Sequence, residues 1–177
     1  CLYPEPSFNE ENIQTEISDV KPDNPYGLSK WAAEEYIGLC KGLKWCTVRP
    51  SNIYGKNQDG SQESGIIAIL YRNVLEGKET TIFGDGTQGR DFIHVSDVAN
   101  ILKYLIENRV HGVVNLSTGV QTTVNDLIEI FKGHFKNIPI IYSMLRDGDK
   151  YSSCFNSRYL HKWGCTPKVT IKEGIDL

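Results

Sequence analysis

Trp45-Cys46-Thr47-Val48-Arg49-Pro50 is the stretch that decides the fold. It is short and carries no polar alternation before Arg49-Pro50, as expected of a strand buried on both faces of a parallel sheet. Working upstream, Gly42 stops a helix: Pro25 suits its first turn, and Trp31, Ala32, Glu35, Tyr36 and Leu39 recur at helical spacing. Before it, residues 4–25 are rich in Pro, Glu, Asp and Asn without apolar period, which reads as a long loop over a surface or cleft. Cys1-Leu2-Tyr3-Pro4 reads as the end of a strand with no initiator Met and no capped helix, so a fragment of a longer chain is expected.

Downstream, strand and helix keep alternating. Residues 53–64 are polar and glycine-bearing, an apolar helix runs from about Gly65 to Leu75, and Thr80-Thr81-Ile82-Phe83 is a strand. Past a loop from Gly84 to Gly89, Asp91-Phe92-Ile93-His94-Val95 is strand-like, and Ser96 is placed to cap a helix carrying Val98, Ile101, Leu102 and Leu105. Val113-Val114-Asn115-Leu116 is another buried strand. Thr123 and Asp126 make a capping box ahead of Leu127, Ile128, Ile130 and Phe131, and Pro139-Ile140-Ile141-Tyr142 is one more strand. This alternation predicts the α/β class, with no internal repeat.

With 177 residues, 40% hydrophobic and 23% charged, the chain can bury a core and holds one domain or two small ones. Nineteen Lys+Arg against 22 Asp+Glu give a net charge of −3 with no run of five like charges, so nucleic acid is not an expected partner. The longest apolar stretches, such as Ile66-Ile67-Ala68-Ile69-Leu70, fall far below the ~20 residues of a membrane span. With no basic-then-apolar leader, a soluble cytoplasmic protein without a membrane partner is expected. Cys1, Cys40, Cys46, Cys154 and Cys165 are scattered with no CxxC pair, which predicts reduced thiols and no metal site.

Two patterns bear on chemistry. Gly84-Asp85-Gly86-Thr87-Gln88-Gly89 matches G-x-G-x-x-G after a strand, yet Arg90–Val95 reads as strand rather than helix. No helix N-terminus then faces a pyrophosphate, and no ribose-binding acid follows at the right distance, so a plain glycine turn is predicted. Tyr26-Gly27-Leu28-Ser29-Lys30 sets Tyr and Lys four apart, on one helix face. An ammonium beside a phenolic oxygen favours phenolate, as a proton shuttle next to a hydride transfer needs, although such pairs are also common on solvated helix faces.

The order of motifs adds a family resemblance. Tyr3, the loop acids Glu5 and Glu10, Pro25-Tyr26-Gly27-Leu28-Ser29-Lys30 with Glu34 or Glu35 behind it, Arg49-Pro50-Ser51-Asn52-Ile53-Tyr54-Gly55, and Phe83 through Val98 resemble the nucleotide-sugar epimerases and dehydratases of the extended short-chain dehydrogenase/reductase family. Arg146-Asp147-Gly148-Asp149 and Trp163-Gly164-Cys165-Thr166-Pro167-Lys168 resemble its closing motifs, so the likeness spans essentially the whole chain.

The resemblance implies the C-terminal part of a Rossmann-like parallel sheet plus a small α/β substrate-binding domain. Residues 1–52 and 96–137 would belong to the NAD-binding half, and 53–95 with 138–177 to the nucleotide-sugar half. Tyr26 would be the acid/base at the sugar hydroxyl, with Lys30 holding the nicotinamide ribose and Pro50 beside the NAD cofactor. Asn52, past a strand's carboxyl end, would donate to a substrate phosphate. Arg90 and Arg146 would clamp the diphosphate, and Thr81 and Phe83 fall where the family holds the base. Ser153, seven residues past Arg146, occupies a position that looks across at the sugar's 2-substituent, and its small size leaves room for an N-acetyl group. The Tyr-x-x-x-Lys helix implies a homodimer for the intact parent.

Several residues read more simply as structural. Arg49 is expected in a buried ion pair, His94 as a satisfied core histidine, Asp91 as an organiser of local loops, and the three tryptophans as packing residues. The sequence departs from the family pattern where its first strand, true glycine loop, ribose acid and catalytic Ser/Thr should precede Tyr3, and at Asn156, which replaces an acid opening the next helix. The activity implied for the parent is C4 epimerisation of a UDP-sugar through a 4-keto intermediate. The alternatives are a dTDP- or GDP-sugar 4,6-dehydratase, or a non-catalytic fragment that binds nucleotide-sugar.

Overall fold

The computed structural model describes residues 2–3, 15–61, 65–145, 152–154 and 156–176. Along the chain it forms α1 (Pro25–Gly38), β1 (Cys46–Pro50), β2 (Asn52–Tyr54), α2 (Ile66–Glu76), β3 (Thr80–Phe83), β4 (Gly89–His94), α3 (Val95–Glu107), β5 (Gly112–Leu116), β6 (Gln121–Thr123), α4 (Val124–His134), β7 (Ile140–Ser143), β8 (Ser152–Ser153) and α5 (Ile171–Asp176). Among the described residues the pairings β1 with β5, β2 with β4, β3 with β7 and β4 with β8 are parallel, and β4 with β6 is antiparallel. This is the mixed α/β fold with parallel sheets that the alternation predicts. Among the described residues no helix is long and apolar enough to cross a membrane.

Strand β4 is the hinge of the packing. Successive strand residues point to opposite faces, so Phe92 enters one core with Tyr54, Ile67, Leu70, Leu127, Phe131 and Ile175. Its neighbour Ile93 enters another with Val98, Ile101, Leu105, Val114, Leu116 and Leu160. Helix α4 thus lays Leu127 and Phe131 against Ile67 and Leu70 of α2 and Phe92 of β4.

The Thr123–Asp126 capping box forms as expected: Asp126 N donates to Thr123 Oγ1 at 3.0 Å and Thr123 N to Asp126 Oδ2 at 3.0 Å. The α3 cap does not fall at Ser96. The strand runs directly into the helix at Val95, and His94 is the cap, its Nδ1 accepting from Ser96 N at 3.3 Å and lying 2.7 Å from Ser96 Oγ. Strand β1 is only half-buried at Cys46, Thr47 and Val48, not buried on both faces, since β5 is its one partner strand among the described residues.

The helix expected before Gly42 forms as α1; Tyr36 in it and Leu39 at its C-cap are 74% and 79% exposed, Trp31 is half-buried, and only Gly27 and Glu34 of the helix are buried. Two further expectations are corrected. Leu2 and Tyr3 lie in a bend, the Leu2 carbonyl accepting from Lys21 N at 2.9 Å, and not in a strand. After Asn156, residues 158–164 form consecutive turns rather than a helix; Ser157 Oγ accepts from Tyr159 and Leu160 N, and Trp163 stacks on Tyr159 at 5.2 Å between ring centroids.

One long-range staple closes the fold. The Glu16 carboxylate accepts from Asn115 N at 3.0 Å, Ser157 Oγ at 2.8 Å and Arg158 N at 3.0 Å, joining the segment before α1 to β5 and the C-terminal turns.

Candidate active site

Helix α1 begins where its chemistry must start. Asn24 extends into the cap position and accepts from Gly27 N at 2.8 Å, and Pro25 opens the first turn without needing a donor. Tyr26 therefore stands in the first turn and Lys30 one turn on, with Lys30 Nζ 5.2 Å from the Tyr26 ring centroid. The ammonium sits over the aromatic face, a cation–π contact.

The helix is anchored from behind. Arg49 at the end of β1 forks onto Glu34, its Nε donating to Oε2 at 3.0 Å and its second nitrogen to Oε1, and donates 2.6 Å to the Tyr3 phenol. Tyr3 Oη in turn donates to Asn115 Oδ1 at 2.8 Å. Burial pushes the Tyr3 phenol above its usual range against the opposing pull of Arg49. Arg49 is thus the buried ion-pair partner its sequence context predicts.

Beyond Pro50 the chain steps through Ser51 into β2, which leaves Asn52 at the carboxyl edge of β1, where open α/β sheets take ligands. Asn52 Nδ2 donates to the Asp91 carbonyl at 3.1 Å. In β4, Arg90 lies opposite Ser153 of β8, and its guanidinium donates to the Gly89 carbonyl at 2.8 Å. Tyr26, Lys30, Pro50, Asn52, Thr81, Phe83, Arg90 and Ser153 all line one open cleft of about 1480 Å³. Every described candidate from the sequence converges there; Arg146 lies outside the described residues.

The glycine turn is a turn. Gly84 and Gly86 have φ of +81° and +79°, a Cβ on Gly86 would meet Asn125 Oδ1 at 2.2 Å, and the chain then enters β4 in extended form. The helix N-terminus that meets it is that of α4, and its first amides are spent on the turn itself, Asn125 N donating to the Gly86 carbonyl at 3.0 Å and Val124 N to the Gln88 carbonyl at 3.1 Å. Tyr26, Lys30 and Pro50 line the cleft, and among the described residues no glycine loop stands free to cradle a pyrophosphate.

The residue that sequence reasoning set aside is Asp91. It is fully buried, and burial raises its carboxyl's pKa against the Thr118, Gly119 and Ser51 hydrogen bonds that favour the charged form. Nothing in a lone Asp after Arg signals a network whose donors lie 27 to 40 residues away. Beside it, the Cys154 thiol is pushed up to about 11 by burial and by Asp91.

An α/β chain with parallel strand pairs and a Tyr-x-x-x-Lys helix beside one open cleft is the arrangement of the extended short-chain dehydrogenase/reductase class. The profile of the NAD dependent epimerase/dehydratase family matches residues 1–117, and the chain belongs to that family, whose cofactor is NAD. It is 36% identical over 180 residues to a Methanocaldococcus jannaschii protein named as a candidate UDP-glucose 4-epimerase, covering 99% of this chain and 57% of the relative. The Thermus thermophilus UDP-glucose 4-epimerase, solved in complex with NAD, superposes with a TM-score of 0.90 at 31% identity, over 99% of this chain and 58% of that one. A Methanobrevibacter ruminantium UDP-N-acetylglucosamine 4-epimerase, in complex with UDP-N-acetylmuramic acid, gives a TM-score of 0.86 at 26% identity, over 99% and 59%. The chain spans about half the length of the curated relatives it matches, 57% and 53% of the first two.

Proposed function

We propose that the protein to which this chain belongs epimerises C4 of a UDP-sugar through a 4-keto intermediate, and that this chain supplies the nucleotide-sugar half of the site and the Tyr26–Lys30 pair. The observation that carries the reading is the convergence of all eight described candidates on one cleft. Bound NAD supplies a place for hydride to go and to return from. Tyr26 Oη takes the proton from the C4 hydroxyl as the carbonyl forms and returns it at the end. Lys30, one turn along, orients the nicotinamide ribose and keeps positive charge beside the phenol. Asn52 and Arg90 hold the diphosphate, Arg146 adding a second guanidinium, while Thr81 and Phe83 flank the base.

Ser153 is read as the wall facing the sugar's 2-substituent. Its place opposite Arg90 in the cleft supports acceptance of UDP-N-acetylglucosamine beside UDP-glucose. The exposed Leu28, Tyr36 and Leu39 of α1 support a homodimer. The test is direct: the natural full-length protein with NAD+ and UDP-glucose or UDP-N-acetylglucosamine is expected to yield the galacto epimer. A stable 4-keto-6-deoxy sugar from a dTDP- or GDP-hexose would assign it as a dehydratase, and no turnover with any of these substrates would leave a binding module.

A further inference from the structure

We propose that Asp91 is the positioning residue of the nucleotide-sugar cleft, fixing Asn52, Arg90 and Ser153 from behind through one buried carboxylate. The inference rests on the reading that the cleft takes a nucleoside diphosphate sugar. Asp91 Oδ1 accepts from Ser51 Oγ at 3.0 Å, Thr118 N at 3.1 Å and Thr118 Oγ1 at 2.8 Å. Oδ2 accepts from Gly119 N at 2.7 Å, with Cys154 Sγ at 3.9 Å.

The chain positions of these partners give the network its meaning. Ser51 precedes Asn52, Asp91 follows Arg90, and Cys154 follows Ser153. Along β4 neighbouring side chains point to opposite faces, so holding Asp91 behind presents Arg90 to the cleft, while Ser51 and Cys154, the chain neighbours of Asn52 and Ser153, tie those two residues to the same carboxylate. Asn52, Arg90 and Ser153 line the cleft, as does Ser51, whereas Asp91 and Cys154 stand behind it. The backbone repeats the tie, since Asn52 Nδ2 donates to the Asp91 carbonyl at 3.1 Å. Among the described residues strand β8 lays two residues on β4, a short ladder for fixing Ser153, and the Cys154 contact adds a second attachment.

A carboxylate suits this place because its two oxygens only accept, and every partner donates. Asparagine keeps the shape but turns one oxygen into a donor, setting it against either the Gly119 amide or the three donors on Oδ1. Relief comes by moving residues 51, 118–119 or 154, and with them the diphosphate contacts. The Tyr26–Lys30 end hangs on a different anchor, Arg49–Glu34.

The experiment measures UDP and NAD+ affinity by calorimetry, together with kcat and KM, in the natural full-length protein and in Asp91→Asn. Leaving buried donors unsatisfied is expected to weaken UDP binding about tenfold or more. KM should rise in proportion, with kcat at saturation and NAD+ affinity each held within about threefold. Unchanged UDP affinity overturns the proposal, as does an equal loss of UDP and NAD+ affinity in a folded variant, which marks a merely structural role. Should Asp91→Asn not fold, Thr118→Val carries the test, since it removes one of three donors to Oδ1 at a residue that does not line the cleft. It is expected to weaken UDP about threefold at unchanged Tm, and wild-type affinity in that variant overturns the proposal. Wild-type protein that binds no UDP takes down the functional reading and this inference together, whereas variants indistinguishable from a UDP-binding wild type take down this inference alone.

Discussion

Glu34→Ala is expected to loosen α1 from the sheet. Of the fourteen residues of that helix only Gly27 and Glu34 are buried, so the element carrying Tyr26 and Lys30 is held by one carboxylate more than by an apolar stripe. Glu34 and Arg49 are each 7% exposed, and alanine leaves the Arg49 guanidinium desolvated with the Tyr3 phenol as its remaining hydrogen-bond partner. Removing one member of such a buried pair costs about 3–5 kcal/mol, because the other charge stays behind unpaired. At about 2–4 °C per kcal/mol for a domain of this size, Tm should fall by about 6–20 °C. Replacing both partners with apolar residues of similar length, Glu34→Leu with Arg49→Met, removes the orphan charge and should recover most of the loss. Calorimetric melting of Glu34→Leu, Arg49→Met and the double variant closes the cycle. A Glu34→Ala cost below about 1 kcal/mol, the level of an exposed pair, or additivity of the single changes, would refute the reasoning.

Tyr26→Phe in the full-length protein should cut turnover by about 10² to 10⁴ while leaving UDP-sugar affinity in place, since only the hydroxyl is lost; steady-state kinetics and calorimetry check both halves. Ser153→Tyr should selectively abolish turnover of UDP-N-acetylglucosamine and spare UDP-glucose, and an unchanged ratio of kcat/KM would move the gate elsewhere. This chain alone should not bind NAD+ with a micromolar Kd, because Tyr26, Lys30 and Pro50 reach only one end of a dinucleotide; titration calorimetry on the isolated chain decides it.

Local signals were legible in the sequence wherever one segment contained its own reason. The Thr123–Asp126 cap, the glycine turn at 84–89 and the strands Thr80–Phe83 and Gly112–Leu116 each follow from residues within a few positions of one another. The three-residue β2 and β6 and the two-residue β8 escaped notice because strands this short carry no period to read. Ser96 lost the cap to His94 because an imidazole acceptor two residues earlier already met its amide, which a preference for Ser at caps does not anticipate. The α1 apolar spacing marked a helix correctly but not its environment: Tyr36 and Leu39 have no neighbours to bury them in the described fold. At the cleft, the motifs named residues that do meet in space, whereas Asp91 was undervalued because its role lies in donors from three other segments.

The Glu16 staple has a temporal side. Its carboxylate is separated by 141 and 142 residues from Ser157 and Arg158, so these bonds close only when nearly the whole chain is present. At a synthesis rate of about 5–20 residues per second, the segment around Glu16 leaves the ribosome roughly 7–28 s before its partners do. Contacts of such sequence separation are the slow ones in folding. During that interval Tyr3, which lines the cleft, has yet to find Asn115 across 112 residues, so that part of the cleft wall is among the last to be fixed.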